Sequence, residues 1–444
     1  MLRTLGVGFG IAVILGGTIG VGILRLPGMV AAQLGNYWLI LAIWALGGVY
    51  SFLGSMCMTE LAVMAPRAGG FYVYARQAFG PGTGFAVGWG DWLNNCASLA
   101  YVGFAAAGYL IALFPGLGGW DKALALALLA FFCVLHWMGL RVSSNVQKLT
   151  SSATALGFLV LAAACFSFHG KAPAAGLEQA ALLKNLVKSP VTYLVALGAV
   201  VTALRAVIVA YDGWYEAIYF AEEHKNPARN LSRAMMGGVA SIIFLYLVMN
   251  MAFLHVLPIP VLATSKLPAA DAAQMIFAGW SGKFITILSL LTLLSFINAA
   301  LLGTARIVFA FGRDALFTEK AARVSAGGAP RLALLLSAGG AMALVATGTF
   351  ERIVAMAATI LIINYGACYI ALIVLRRREP HLVRPFRAWG YPWTTAVVLV
   401  GSGLFLIGNA LSDPTNALWA GLLLGACGPA YLLRRRGVRT ETAR

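Results

Sequence analysis

Residues 16–24 read GGTIGVGIL and interrupt the first apolar segment of the chain. Four glycines in seven positions weaken a helix by about 1 kcal/mol each relative to alanine. In lipid, unwound backbone is tolerated only where it is buried in protein or lines a cavity. A break exposes amide N–H groups that favour an anion at one helix end and carbonyls that favour a cation at the other. A zwitterion fits both ends, and close helix packing is the alternative explanation of the glycines.

A second interruption lies in a later apolar segment, where residues 209–216 read VAYDGWYE. Asp212 is an acid in an otherwise apolar stretch, which is expensive inside a membrane and marks a functional candidate. Gly213 directly after it is a natural break point. The interrupted segments are the first and the sixth, which open two successive sets of five. Matching breaks in two repeats are typical of a transporter with an inverted repeat and a site near the membrane midplane.

The composition places the chain in a membrane. Of its 444 residues 61% are apolar and 11% are charged, and the mean hydropathy is +0.85. Soluble proteins carry about a quarter charged residues, and barrel strands alternate over about 10 residues, so both classes are excluded. We predict an all-α polytopic membrane protein of about twelve transmembrane helices. The predicted spans are 5–33, 37–65, 84–114, 121–139, 145–168, 192–222, 232–257, 282–312, 331–349, 352–375, 392–412 and 415–433.

Position along the chain explains the formal charge of +17. If the N-terminus is cytoplasmic, most lysines and arginines fall on the cytoplasmic side of the predicted spans, as the positive-inside rule requires. The basic clusters 376–378 and 434–436 directly follow apolar spans. We therefore expect a multi-pass protein of the cell membrane, the cytoplasmic membrane of a bacterium, with both termini cytoplasmic. Lipid, and not nucleic acid, is the expected partner of these charges.

Several other classes of function lack their motifs. All six cysteines lie in predicted spans, where single cysteines behave as small hydrophobes, so we expect no disulfide, metal or cofactor. No HExxH sequence, nucleophile elbow or Walker motif occurs, which argues against an integral-membrane enzyme and against ATP-driven transport. A channel is a further alternative, but no filter-like segment is present. The loop after span six is short, unlike the long central loop of a major-facilitator fold.

An ordered set of motifs resembles the amino acid–polyamine–organocation superfamily of transporters. Residues 17–23 resemble its first-helix signature, and residues 211–214 resemble the sixth helix of the L-amino acid transporter branch and related bacterial permeases. The resemblance covers roughly residues 5–390. Further matching motifs are Glu60-Leu61-Ala62, residues 66–74 and 79–81, Glu222-Glu223, Asn226-Pro227, residues 229–231, Thr304-Ala305-Arg306 and residues 312–316.

The resemblance implies the leucine-transporter fold, which has two inverted five-helix repeats with broken helices 1 and 6, followed by two accessory helices. Residues 1–168 would form the first repeat, 169–390 the second, and 391–444 the accessory helices and a basic tail. It also implies a secondary active transporter of α-amino acids that works by alternating access and is not an enzyme. An amino acid exchanger, or a polyamine or other organic cation transporter of the same fold, is the alternative.

The resemblance further implies where an α-amino acid would bind. Its carboxylate would bind the amides of the first break, here around Thr18, Gly20, Val21 and Gly22. Its amino group would bind carbonyls of the second break, here Val209, Ala210 and Asp212. This arrangement agrees with the helix-dipole argument for a zwitterion.

Some positions depart from the pattern that the resemblance implies. Val209 stands where this branch often has an aromatic gate, so either the pocket is roomier or Tyr211 or Trp214 supplies the gate. Thr154 stands where many sodium-independent members carry a lysine, which leaves the coupling mode open between protons, sodium and exchange. We expect sodium-independent transport, although the Ser295 hydroxyl is a candidate sodium ligand. The loop 115–121 has no cysteine, so no disulfide-linked heavy chain is implied.

Other polar residues in or near the spans have two interpretations each. Asp212 either contributes its charge to substrate binding or caps the following half-helix. Asp91 has a hydrogen-bonded structural role or relays protons, and Glu60 either gates the transporter or is a solvated charge. Arg205 pairs with a carboxylate of an outer gate or snorkels to the interface. The acids at 222–223 are most simply solvated in a cytoplasmic loop.

Overall fold

The computed structural model describes residues 1–169, 190–428 and 431, and within these ranges the chain is built from helices. The end of the last predicted span and the basic cluster 434–436 lie outside the described residues. The helices are α1 Val7–Thr18, α2 Val21–Leu34, α3 Tyr37–Met64, α4 Phe71–Phe79, α5 Pro81–Leu113, α6 Asp121–Trp137, α7 Leu140–Phe166, α8 Pro190–Ala210, α9 Ser232–Val256, α10 Ile259–Thr264, α11 Pro268–Phe277, α12 Ser281–Arg313, α13 Arg331–Thr347, α14 Phe350–Arg378, α15 Trp393–Ser412 and α16 Pro414–Gly425.

The described helices confirm the predicted fold class, an all-α polytopic membrane protein. Seven of them are long and apolar enough to cross a membrane, namely α3, α5, α7, α9, α12, α14 and α15. The pair α1 and α2 forms an eighth span that is bent by 51°. The shorter helices α6, α8, α13 and α16 lie at the four remaining predicted spans. The helix order is therefore consistent with twelve spans.

Both predicted breaks are present. The first separates α1 from α2 at Ile19 and Gly20, and Gly20 adopts an extended conformation with φ −136° and ψ −162°. The second follows Ala210, where α8 ends, and Gly213 has a φ of +100° that favours glycine. Beyond the second break the chain continues as a 3₁₀-helix over Glu216–Glu223, where an α-helix was expected. This 3₁₀-helix is followed by a π-helical turn, Pro227–Leu231, and then by α9.

Three short helices were not predicted from hydropathy, because each is too short to cross a membrane. The helix α4 precedes the third span and packs on α5. The helices α10 and α11 lie between α9 and α12, and Pro260 and Pro268 stand in their first turns, where the missing N–H costs nothing. Both α10 and α11 pack against α2.

The helix α12 lies at the centre of the bundle. It packs against α1, α5, α7 and α13 and also touches the 3₁₀-helix of the second break. Its middle and C-terminal turns are buried almost continuously. The two breaks therefore lie against one long, buried helix.

Candidate functional site

A cavity of about 250 Å³ lies beside the two breaks. The second break contributes residues 212–216, and Gly17 contributes the end of α1. Polar side chains of α3 and α5 line one part of the cavity, and α12, α14 and α15 supply apolar and aromatic side chains. The lining side chains include Ser51, Asn94, Asn95, Ser98, Val209, Asp212, Trp214, Glu216, Phe296, Tyr365 and Phe405.

The two breaks are in direct backbone contact. A Cβ atom built on Gly213 would lie 2.3 Å from the carbonyl oxygen of Gly17, so only glycine fits there. The hydroxyl of Tyr246 on α9 lies 2.9 Å from the carbonyl oxygen of Thr18 and 3.1 Å from that of Ala210, and it donates to both. Tyr246 is fully buried. It therefore ties together carbonyls that the two breaks leave without helical partners.

The N-terminus of α2 carries no side-chain cap. Gly20 is the N-cap residue, and no side chain accepts from the first amides of α2. A Cβ atom built on Gly20 would meet only the Thr18 carbonyl oxygen, at 3.8 Å. The Thr18 hydroxyl is buried without a hydrogen-bond partner. The uncapped amides and the free space beside Gly20 suit a carboxylate, because the helix dipole favours an anion there.

The predicted site residues divide into two groups. Val209 and Asp212 line the cavity. Thr18, Gly20, Gly22 and Ala210 are not among the residues that line it, and a Cβ atom on Gly22 would come within 3.2 Å of the Ala210 Cα atom. The side chain of Val21 lies outside the described part of the chain. Gly22 thus packs against the second break, and Gly20 is the glycine of the first break that leaves open space.

The side chain of Asp212 faces the cavity and accepts a hydrogen bond from the Tyr365 hydroxyl on α14. The 3₁₀-helix that follows has Tyr215 at its N-cap position and no side-chain cap. The interpretation of Asp212 as the cap of that helix is therefore wrong. The reason is that the chain turns through Gly213 and points the carboxylate toward α14.

Of the two aromatic gate candidates, only Trp214 lines the cavity. Its ring lies 5.4 Å from the ring of Tyr365, measured between centroids. Tyr211 is buried away from the cavity, and its hydroxyl donates to the carbonyl oxygen of Trp44 at 3.2 Å. Val209 is about half exposed and contributes an aliphatic wall.

Ser295, the candidate sodium ligand, belongs to a neutral hydrogen-bond network between α1, α7 and α12. The amide nitrogen of Gln147 donates to the Ala12 carbonyl oxygen at 3.2 Å and to the Ser295 hydroxyl at 3.2 Å. Ser151 donates to the same carbonyl at 2.6 Å. Thr154 lies one turn further along α7, and its buried hydroxyl has no partner. The Ala12 carbonyl oxygen and the Ser295 hydroxyl therefore both accept hydrogen bonds from side chains of α7.

Buried ion pairs connect the helices at the end of the bundle that carries residue 1. Glu60 is fully buried and accepts from the Arg376 Nε atom at 2.7 Å. Glu223 is also fully buried and accepts two hydrogen bonds from Arg306, at 2.8 and 3.0 Å. The expectation of solvated charges is therefore wrong for both acids. For Glu223, the cause is that the 3₁₀-helix after the second break packs against α12, which carries Arg306. For Glu60, the partner Arg376 comes from α14.

Arg205 contacts no carboxylate in the described residues. Its guanidinium donates to the Asn409 side chain at 2.6 Å and to the Ser412 hydroxyl at 2.9 Å, both on α15. It also lies 5.6 Å from the centroid of the Phe405 ring. Arg205 thus attaches α8 to α15, and the ion pair with an outer-gate carboxylate, one of its two interpretations, is not formed with any described residue.

Sequence reasoning missed Tyr246, Gln147 and Asn94 as candidate site residues. Each is a polar residue in an apolar span, which is a general signal of function or of structural hydrogen bonding. That signal does not state which helix the side chain faces. The partners of Gln147 and Tyr246, Ser295 and Thr18, lie on other helices and more than one hundred positions away in the sequence.

Comparisons with known proteins assign the chain to a family. A family model described as amino acid permease matches residues 10–424. The chain is 26% identical to the serine/threonine exchanger SteT of Bacillus subtilis (strain 168), over 97% of this chain and 96% of that protein. It is 25% identical to the mouse (Mus musculus) b(0,+)-type amino acid transporter 1, over 91% and 82%. It is also 25% identical to the human (Homo sapiens) Asc-type amino acid transporter 1, over 84% and 72%. The chain belongs to the amino acid permease family.

Proposed function

We propose that this permease holds the backbone of an α-amino acid between its two breaks and carries it across the membrane by alternating access. The observations that support this best are the uncapped N-terminus of α2, with open space at Gly20, and a cavity that Gly17 and Asp212 line. An amide-rich helix end attracts the carboxylate, and an acid attracts the amino group. The helix end and the acid together suit a zwitterion.

The proposed contacts follow from this placement. The amides of Gly20, Val21 and Gly22, with the unpartnered hydroxyl of Thr18, hold the substrate carboxylate. The Asp212 carboxylate and the Val209 carbonyl hold the amino group. The Ala210 carbonyl already accepts from Tyr246, so its role is to position the second break.

Alternating access is supported by the unequal ends of the bundle. The cavity extends toward the start of α14, where Val354 lines it. The opposite end is closed by the Glu60–Arg376 and Glu223–Arg306 ion pairs. If the termini lie in the cytoplasm of a bacterial cell, as we propose, this arrangement corresponds to an outward-facing conformation. Residues 1–168 and 169–390 are the proposed repeats, and residues 391–444 are accessory.

The proposed coupling is independent of sodium, because Gln147 and Ser151 direct donors to the Ala12 carbonyl and the Ser295 hydroxyl. Exchange of one amino acid for another is supported by the likeness to a serine/threonine exchanger. Proton coupling through a buried acid is the alternative. No covalently linked heavy chain is proposed.

Transport of polyamines or other organic cations is a second candidate, which the acidic side chains of the cavity favour. The two candidates differ in one group, since a polyamine has no carboxylate for the α2 amides.

Counterflow in proteoliposomes without ATP tests the proposal. Proteoliposomes that contain the purified protein are loaded with one unlabelled amino acid. Uptake of labelled amino acids and of labelled putrescine is then measured, with sodium or choline outside. We expect uptake of amino acids that is equal in sodium and choline. Uptake of putrescine alone, or no uptake of any amino acid, contradicts the proposal. A fall of about tenfold in choline would contradict only sodium independence.

A further inference from the structure

The cavity is lined by two residues whose buried hydrogen-bond acceptors have no partner among the described residues. Glu216 is 2% exposed, and its Oε2 atom has no partner. Asn94 on α5 is 3% exposed, and its Oδ1 atom also has no partner. Both residues line the cavity. Native proteins satisfy nearly all buried polar atoms, so two free acceptors at residues that line one cavity indicate a missing donor.

Close packing confines Glu216 to this position. A Cβ atom on Gly17 would lie 2.4 Å from the Glu216 Cγ atom, and one on Gly303 would lie 3.1 Å from its Oε2 atom. A glycine of α1 and a glycine of α12 thus leave room for the carboxylate. The free oxygen is held between the first break and the central helix.

The neighbouring acid is satisfied, which singles out Glu216. Asp91 is buried beside it and accepts from the Tyr219 hydroxyl at 2.9 Å and from the Asn95 amide at 3.0 Å. Tyr219 itself lies against Gly303, next to the free oxygen of Glu216. In the described ranges no lysine, arginine or histidine lines the cavity.

We propose that Glu216 and Asn94 form a subsite for a second cationic group, the side-chain ammonium of a basic amino acid such as lysine or ornithine. This inference rests on the proposed function. The α-carboxylate would bind the α2 amides and the α-amino group would bind Asp212, which leaves the Glu216 carboxylate for the side chain.

The two unpartnered acceptors, Glu216 Oε2 and Asn94 Oδ1, favour an ammonium over other donors. A buried carboxylate without a partner is costly, and a cation with hydrogen bonds removes that cost. An ammonium group has three N–H donors, enough for both free oxygens. A substrate hydroxyl has one donor and no charge, so it satisfies one acceptor and leaves the carboxylate uncompensated.

The wild-type protein provides the first test. Calorimetric binding of L-lysine and of L-norleucine is compared in detergent, because norleucine has the same carbon chain without the ammonium. We expect lysine to bind more tightly by about thirtyfold or more, the scale of a buried charge pair. Binding of norleucine with equal or higher affinity than lysine overturns the subsite.

Variants provide the second test, read as the ratio of lysine affinity to norleucine affinity. Glu216→Gln preserves the shape of the side chain, and we expect it to lower the ratio by about thirtyfold or more. Asn94→Ala should lower it by about threefold to tenfold, because it removes one acceptor. The exposed Glu319 on a connecting loop is the matched control, and Glu319→Gln should preserve the ratio.

Four outcomes separate the possibilities. A ratio that Glu216→Gln leaves unchanged overturns the subsite. If Glu216→Gln preserves the ratio but removes the pH dependence of norleucine uptake, Glu216 carries a proton and the subsite is overturned. If norleucine binds and lysine does not, only this inference fails. If no amino acid binds or is transported, the proposed function fails with it.

Discussion

The hydroxyl of Tyr246 lies 2.9 Å from the carbonyl oxygen of Thr18, so a residue of α9 holds the end of α1 at the first break. The same hydroxyl lies 3.1 Å from the carbonyl oxygen of Ala210 at the end of α8. One side chain therefore satisfies carbonyls of both interrupted helices. Any movement that separates the breaks has to release at least one of these hydrogen bonds.

Tyr246→Phe removes that shared donor and leaves both carbonyls without it. We expect a loss of about 1–3 kcal/mol of stability, the cost of unsatisfied buried acceptors, and slower transport. Thermal unfolding in detergent and uptake in proteoliposomes measure the two effects. Tyr109→Phe, at a half-buried tyrosine of α5, is the control. A variant with wild-type stability and uptake would show that Tyr246 does not hold the breaks.

Gly20→Leu tests the carboxylate site, because the backbone at Gly20 is extended and the space beside it is open. We expect normal membrane insertion and loss of uptake, since the leucine fills the space next to the α2 amides. Gly116→Leu, in a loop with nothing within 4 Å of the added carbon, should preserve uptake. Wild-type uptake by Gly20→Leu would end the assignment.

Gly22→Leu is a less selective change. A side chain at Gly22 collides with Ala210 of the second break, so we expect loss of transport together with lower thermal stability. A Gly22→Leu protein that melts like the wild type but does not transport would place Gly22 in direct contact with the substrate.

Asp212→Asn tests the charge at the second break. The carboxylate caps no described helix and faces the cavity, so we expect reduced uptake of lysine, arginine, alanine and leucine. Asparagine preserves the shape and the hydrogen bond from Tyr365. Uptake is measured over a pH series in proteoliposomes. If all four rates and their pH dependence match the wild type, the charge of Asp212 has no role in transport.

Arg306→Met tests the buried pair with Glu223. Removing one partner leaves a buried charge, and we expect a loss of about 3–5 kcal/mol in stability. Arg331→Met, at an exposed arginine over the Trp137 ring, is the matched control. The double variant Glu223→Leu with Arg306→Met should recover much of the loss. Equal melting temperatures for both single variants would contradict the buried pair.

His224 makes stability depend on pH. It is fully buried in the loop after the second break, beside Leu5, and burial lowers its pKa to about 4. The unfolded chain takes up a proton below about pH 6.5 and the folded chain does not, so stability is lost as the pH falls from about 6.5 toward 4. At pH 5 the loss is about 2 kcal/mol.

The matching experiment compares melting temperatures in detergent near pH 7 and near pH 5. We expect His224→Leu to reduce the drop seen in the wild type. His381→Leu, at an exposed histidine, should preserve it. An identical drop in the wild type and in His224→Leu would show that another group causes the pH dependence.

The sequence predicted the two breaks and the helical class because both depend on local composition. The glycines near Gly20 and the acid at Asp212 are visible in a short window, as are the apolar spans. The 3₁₀-helix that follows was not predicted, since the chain there is held by Tyr219 against Asp91 and by Glu223 against Arg306. Such partners lie on other helices.

Of the residues that line the cavity, Val209, Asp212 and Trp214 were predicted from the sequence, and Asn94 was missed. Gly22 packs against Ala210 instead of lining the cavity, which depends on the angle between α2 and α8. Asn94 and Glu216 line the same cavity although more than one hundred residues separate them. Hydropathy and motif order contain no information about which face of each helix turns inward.

The most direct test of the account is a structure of the protein in lipid nanodiscs with an amino acid found by counterflow. The account predicts density for the carboxylate within hydrogen-bond distance of the amides at Gly20 and Gly22, and for the amino group beside Asp212. Density that lies elsewhere in the cavity, with the α2 amides free, would contradict it.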